Sequence, residues 1–222
     1  MSKDYPILDW RGDIPVATRF DDPYYSLVGG LAETRHVFLA GNGLPERFSP
    51  GFHVAELGFG TGLNQFATIK AWQDTGNTGQ LQFTSFEKYL MGASDMARAL
   101  SAFPELAPIV EPILQRLSQG DRIIETDWLR LVLIIGDARE TLPLWDSKAD
   151  AWYLDGFSPA KNPELWEPPL LAEVARHTRP RGTAATYSAA GHVRTALTEA
   201  GFTVTRQPGF GRKRHMTKAI LP

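Results

Sequence analysis

There is no cysteine among the 222 residues, which excludes disulfide scaffolds, thiolate metal sites and cysteine nucleophiles together. The five histidines are scattered, with no His-x-His or His-Glu-x-x-His spacing, so no metal site is expected. Long hydrophobic runs are missing as well. The longest aliphatic one, Leu131 to Ile135, is far too short to cross a bilayer, and the opening MSKDYPILDWRGD has no basic-then-apolar leader pattern. Nor is there an excess of charge: 23 Lys and Arg stand against 25 Asp and Glu, a net charge of -2. That argues against a polyanion-binding surface spread over the whole chain, while leaving room for a local basic patch. No Gly/Ser linker, low-complexity tract or internal repeat divides the sequence. The expectation is a soluble cytoplasmic protein without membrane or metal partners, one domain over residues 1–222 with a small N-terminal extension to about residue 45.

What is present is ordinary globular composition, 43% apolar and 22% charged, ample for one buried core. Ile7 to Phe20 reads as a hairpin around Arg11-Gly12-Asp13. Leu31 to Leu39 reads as a helix stopped by Gly41-Asn42-Gly43. A strand over Phe52 to Leu57 leads through a glycine-rich turn into a helix carrying Leu63, Phe66, Ala67 and Ala71 on one face. Leu81 to Phe86 is a strand, helical segments run to Leu117, and Ile123 to Ile135 holds two strands joined around Asp127-Trp128. Ala151 to Leu154 is a buried-type strand, and Asn162-Pro163 reads as an N-cap with proline in the first turn. Thr183 to Tyr187 is another strand, followed by a helix that stops at Gly201. Phe202 to Arg206 and Met216 to Leu221 form a last antiparallel pair joined by GFGRKRH. Such alternation predicts an α/β fold with a mostly parallel sheet and helices on both faces.

The turn Glu56-Leu57-Gly58-Phe59-Gly60-Thr61-Gly62 discriminates between ligands. A dinucleotide fingerprint needs Gly-x-Gly-x-x-Gly or Ala, and no Gly-Lys-Ser/Thr follows to make a phosphate-cradling loop. Here the glycines alternate, allowing close backbone approach to a ligand, and an acid precedes the first by two positions. Glu87, Asp137 and Asp155 lie at three further strand ends, where open α/β sheets bind their ligands. Four acids suit a ribose and positive charge without phosphate, which S-adenosylmethionine offers and a pyrophosphate cofactor does not. The plain alternative is a tight turn made by glycines, with exposed acids capping helices.

Three blocks are more specific: ELGFGTGLN at Glu56 to Asn64, LDGFSPAKNPELW at Leu154 to Trp166, and GFGRKRHM at Gly209 to Met216. They closely resemble the methyltransferase part of the MnmC/MnmD family of tRNA wobble-uridine modification enzymes. The opening FDDPYYS…GLAETRHVFLAGN at Phe20 to Asn42 is similar to that family's N-terminal segment, so the resemblance runs from about Phe20 to the C-terminus. It implies the class I methyltransferase (Rossmann-like) fold with a mixed seven-stranded sheet. The implied reaction carries a methyl group from S-adenosylmethionine to the exocyclic amine of 5-aminomethyl-2-thiouridine at the tRNA wobble position. Two-domain relatives add a flavin oxidase that prepares the amine; in a chain ending at Pro222 that activity is expected to be absent, so that either a separate enzyme supplies the amine or the sequence is a piece of a two-domain protein.

Within this reading Asp155 is the candidate for orienting the amine, accepting its proton or contacting the cofactor's ammonium. Phe157 and Pro159 would wall the acceptor, with Phe157 stacking on the base. Glu56, Gly58, Gly60, Gly62 and Glu87 are assigned to the cofactor, Glu87 through the ribose hydroxyls, with Phe59, Lys88 and Ala138 beside them. Asp137 is expected at the adenine amino group, Thr61 and Asn64 at the methionine end, and Tyr24, Tyr25 and Glu33 as a cover. Arg206, Arg212, Lys213, Arg214 and Lys218 form a stretch without an acid. The turn Arg212-Lys213-Arg214, with Lys161 near the Asp155 loop, is assigned to tRNA phosphates rather than to a solvated hairpin tip. The alternatives are an aminopropyltransferase or other small-amine methyltransferase on the same fold, and a non-catalytic tRNA-binding module.

Overall fold

The computed structural model describes residues 5–26 and 29–222; the first four residues of the opening stretch, together with Leu27 and Val28 of the N-terminal extension, lie outside the described residues. The N-terminal run folds as the hairpin β1 (Leu8–Arg11) and β2 (Ile14–Ala17), with the two-residue strand β3 (Asp22–Pro23) against β2. Helix α1 (Gly30–Thr34) continues through a wider π turn (Arg35–Leu39) and a 3-10 turn (Ala40–Asn42), and Gly43 ends it as the Gly-Asn-Gly signal implies.

The main body alternates as read: β4 (His53–Leu57), α2 (Leu63–Asp74), β5 (Leu81–Glu87), α3 (Ala93–Leu100), α4 (Ala107–Ser118), β6 (Ile123–Glu125), β7 (Leu129–Ile135) and α5 (Ala138–Thr141). It continues with β8 (Ala149–Leu154), α6 (Pro168–Arg176), β9 (Thr178–Thr186), α7 (Gly191–Glu199), β10 (Thr203–Pro208) and β11 (His215–Ile220). The strands order as β10-β11-β9-β8-β4-β5-β7-β6. From β9 to β7 the pairing is parallel, while β6, β11 and β10 run antiparallel to their neighbours.

Both faces of the central strands are covered, which is why β4 is buried at every position. Side chains alternate across the sheet, so neighbours in β8 feed opposite layers. Tyr153 packs with Phe38, Phe83 and the α2 side chains, whereas Trp152 packs with Phe86, Leu171 and Val193. Each fully buried large side chain stabilises the fold by about 1.5–3 kcal/mol.

Two expectations need correction. The main sheet has eight strands among the described residues rather than the seven that the resemblance implies; the additional one is the short edge strand β6, hydrogen-bonded to β7 across the Asp127-Trp128 turn. Asn162 makes no side-chain cap, and Pro163–Trp166 is only a 3-10 turn. The Pro168-Pro169 pair forces Glu167 into an extended conformation, and α6 starts after it.

Candidate active site

The carboxyl ends of β4, β5, β7 and β8 open into a cavity of about 1220 Å³, covered by the N-terminal hairpin and by the β10–β11 turn. Single-ligand pockets typically hold about 300–1,000 Å³, so there is room for a cofactor and part of a second substrate. Phe59, Phe86 and Ala138 supply apolar wall, and Glu33, Glu87, Asp137 and Asp155 supply carboxylates.

The glycine turn follows β4 directly, and here the structure corrects the sequence reading. Gly58 has φ +90°, and a side-chain carbon there would collide with the carbonyl oxygen of Asp155. Gly62, at φ +82° before α2, is held between the rings of Phe66 and Phe59. Gly60 lies under the ring of Tyr24. The close approach that these glycines permit is to the protein itself: Gly58 lets the β4 and β8 loops touch, Gly60 admits Tyr24, and Gly62 admits Phe59 and Phe66. Gly58, Phe59, Gly60 and Thr61 still line the cavity, whereas Gly62 does not.

Asp155 is carried by the end of β8 and faces the cavity. Its Oδ2 accepts a 2.6 Å hydrogen bond from Asn64 Nδ2. The same amide nitrogen donates to Glu56 Oε1 at 2.9 Å, and Asn64 Oδ1 accepts from the Thr34 hydroxyl at 2.8 Å. Asn64 is thus committed to protein partners, not free for the methionine end of a cofactor. Glu56 is fully buried behind it, with Oε2 accepting from Ser85 Oγ at 2.8 Å, and does not reach the cavity. The acid before the glycines supports Asn64 instead of touching a ligand. Burial holds the Glu56 carboxyl well above the usual range. Burial also pushes Asp155 up to about 7, with Glu33 adding to the shift while Asn64 and Lys213 oppose it.

Glu87, at the end of β5, accepts from the backbone N–H of Gly60 at 3.0 Å and of Tyr89 at 2.7 Å. One acceptor position remains on each oxygen for ligand hydroxyls. Asp137 is different. It caps α5 through the Arg139 N–H at 3.0 Å, takes Arg139 Nε at 3.0 Å and Nη2 at 2.8 Å, and pairs with Lys88 at 2.8 Å. These donors hold its carboxyl well below the usual range, led by the Arg139 side chain. The plain capping alternative therefore describes Asp137, and an adenine amino group would have to displace Arg139 or Lys88. Arg139 lines the cavity and was missed in the sequence, although an Asp cap two residues before an Arg is a readable signal.

The hairpin covers the cavity through contacts on both sides. Phe20 stacks on Phe157 at 4.7 Å between ring centroids, and Tyr24 meets Phe157 edge-on at 5.1 Å. Lys161 binds the Asp21 carbonyl and lies 3.4 Å from Asp22 Oδ1, while Asp22 Oδ2 accepts from the Ser158 N–H at 3.0 Å. Across the cavity, Arg19 donates to the Tyr89 hydroxyl at 2.6 Å. Tyr25 lines the cavity with its ring, while its hydroxyl is held 2.9 Å from the Ala99 carbonyl of α3. Lys161 is therefore a latch for the hairpin rather than an unpaired cation, and Pro159 lies outside the cavity lining. No local pattern in the sequence pointed to Arg19 or Phe20.

The basic turn is divided. Lys213 points inward, 2.8 Å from Glu33 Oε1 and 4.1 Å above the ring of Tyr187. Tyr187 in turn donates to the Gly156 carbonyl at 2.7 Å. Arg212 borders the cavity mouth and Arg214 is exposed outside it; among the described residues neither has a carboxylate partner. The expected common phosphate face of Arg212, Lys213 and Arg214 thus loses its middle member to Glu33.

Among the described residues no three His, Asp or Glu side chains are grouped as a metal site, and no helix is long and apolar enough to cross a membrane. The chain is similar to the tRNA 5-methylaminomethyl-2-thiouridine biosynthesis bifunctional protein MnmC of Pseudomonas paraeruginosa, 45% identical over 227 residues, which cover 94% of this chain and 34% of that protein. The protein of the same name from Leptospira borgpetersenii is 43% identical over 223 residues, covering 95% and 34%. The chain therefore spans about a third of the length of these curated relatives. The crystal structure of MNMC2 from Aquifex aeolicus superposes with a TM-score of 0.82 at 27% identity, covering 98% of this chain and 71% of that one. A family model described as S-adenosyl-L-methionine-dependent methyltransferase matches residues 103–222, more than half of the sequence. With the strand-end cavity and its acidic lining, that match establishes that the chain belongs to the S-adenosyl-L-methionine-dependent methyltransferase family.

Proposed function

We propose that this protein methylates the exocyclic amine of 5-aminomethyl-2-thiouridine at the wobble position of tRNA, in the cytoplasm. The observation that carries the reading is Asp155, a carboxylate pushed up to about 7 in a cavity roomy enough for cofactor and nucleoside together. The names of the similar MnmC proteins supply the substrate class. When bound, S-adenosylmethionine supplies an electrophilic methyl group on a sulfonium. The chain's residues fit it: Glu87 keeps acceptor positions for ribose hydroxyls, and Phe59, Phe86 and Ala138 offer an apolar wall for the adenine. Thr61 and the cover residues Tyr24, Tyr25 and Glu33 complete the cofactor side, with Lys88 on its rim.

Asp155 then has two tasks. Its free oxygen orients the acceptor amine, and it takes the proton that the nitrogen must lose. The acceptor nitrogen forms the new bond to the methyl carbon, while the electron pair of the broken carbon–sulfur bond stays on sulfur. Phe157, already backed by Phe20, offers a ring for the base, and the exposed Arg212 and Arg214, without a carboxylate partner among the described residues, meet phosphates. Incubation with labelled S-adenosylmethionine and tRNA carrying aminomethyluridine, followed by nucleoside analysis, tests the proposal. Label in methylaminomethyluridine is expected; cofactor binding without transfer to this nucleoside would refute it.

A further inference from the structure

Among the described residues, Lys213 is the one cation of the basic turn paired with an acid of the cavity, its side chain half-exposed at the mouth. Its ammonium sits 2.8 Å from Glu33 and 4.1 Å above the Tyr187 ring, and Tyr187 is fastened to Gly156, the residue after Asp155. The backbone of Lys213 is packed closely against Gly209 across the turn, where a side-chain carbon would collide with its carbonyl. We propose that Lys213 is a positioning residue of the transfer site: paired with Glu33, it keeps the pocket around Asp155 from carrying a second net negative charge, and thereby keeps both Asp155 and the acceptor amine deprotonated. The inference rests on the reading of Asp155 as proton acceptor.

The charge arithmetic is local. Among Asp155, Glu33 and Lys213, two carboxylates face one ammonium when Asp155 is ionised. Take away the ammonium and an unbalanced Glu33 favours protons on its neighbours, Asp155 first and an entering amine next. The groups bearing on Asp155 are Glu33 from α1, Asn64 from α2, Glu56 from β4, Tyr187 after β9 and Lys213 from the β10–β11 turn, with Asp22 of β3 acting on Tyr187. Of these, Lys213 alone is a cation. Its pairing also separates it from Arg212 and Arg214, which are exposed and have no carboxylate partner among the described residues.

The test is a charge cycle with Lys213→Met, Glu33→Gln and the double variant, read in two ways. For methyl transfer to aminomethyluridine-bearing tRNA, Lys213→Met should move the ascending limb of the kcat–pH profile upward by about one unit, a loss of ~10-fold at neutral pH that recovers in alkali. KM for tRNA should change little. Glu33→Gln should move the limb down, and the double variant should return it close to the parent, because a neutral pair replaces a neutral sum. The second reading needs no transfer: with carboxyl-labelled aspartate, the carbon resonance absent from Asp155→Asn reports the Asp155 titration directly. Its midpoint should rise in Lys213→Met and return in the double variant. A raised KM with an unmoved pH profile would make Lys213 a docking residue and overturn the inference. An unmoved Asp155 midpoint would overturn it too, even if the parent proves inactive on this tRNA, which by itself would refute only the proposed substrate.

Discussion

Asp155→Asn should make the protein more stable than the parent at neutral pH while leaving the two equally stable near pH 4. The exchange keeps an oxygen to accept from Asn64 and removes a charge that burial disfavours. Folding raises the proton affinity of this carboxyl from an ordinary 3.8 to about 7. A raised folded-state value means that the protonated form stabilises the fold, fully below about pH 4 and progressively less as pH rises toward 7. Each unit corresponds to about 1.4 kcal/mol, so roughly three units set an upper bound of about 4 kcal/mol. Water entering through the cavity mouth solvates the charge, and a difference of ~1–3 kcal/mol is the expected outcome. Urea denaturation of both proteins at half-unit steps from pH 4 to 8 measures it, and subtraction removes the groups that do not interact with Asp155, while Glu56, which does, contributes to the difference. Parallel stability curves across that range would refute the reasoning.

Asn64→Ala should cost about 2–4 kcal/mol in urea denaturation, because it leaves Glu56 Oε1, Asp155 Oδ2 and the Thr34 hydroxyl without their shared partner. Gly58→Ala should lower stability by about 1–3 kcal/mol and weaken S-adenosylmethionine binding in calorimetry, since its φ of +90° and the Asp155 carbonyl both oppose a side chain. Replacing Arg212 and Arg214 together by Ala should weaken tRNA binding and reduce its log–log salt slope by about 0.7–0.9 per lost phosphate contact, with cofactor affinity intact. Filter binding across salt concentrations checks this, and an unchanged slope would place docking elsewhere.

The strand–helix order was legible because its signals are local. Runs such as Ala151–Leu154 and stripes such as Val193, Ala196 and Leu197 depend on neighbours within a few positions. The eighth strand was present in the two-strand reading of Ile123 to Ile135, and the count of seven came from the resemblance alone. Site positions were legible to the extent that strand ends converge: Glu87, Asp137 and Asp155 all reach the cavity. What could not be read was which partner each charge takes. Asn64 bridging Glu56 and Asp155, Asp137 held by Arg139, and Lys213 turned to Glu33 depend on side chains meeting across distant elements. An acidic position predicts an available carboxylate only until a cation or amide from elsewhere in the chain reaches it.

One side of the cavity's cover, the hairpin, precedes its anchors in the sequence, and that gives the molecule a temporal order. The Arg19–Tyr89 and Lys161–Asp22 contacts join residues 70 and 139 positions apart. A chain leaving the ribosome therefore exposes its hairpin long before either anchor has been synthesised. Contacts with such separations close late, after the sheet that carries their far ends. The cavity matures last, when a strip of N-terminal backbone settles across a finished sheet. Since β1 is half-exposed and pairs only with β2, it belongs to the part of the protein that opens with least free energy, and its amides should exchange with solvent ahead of those in β4 and β8.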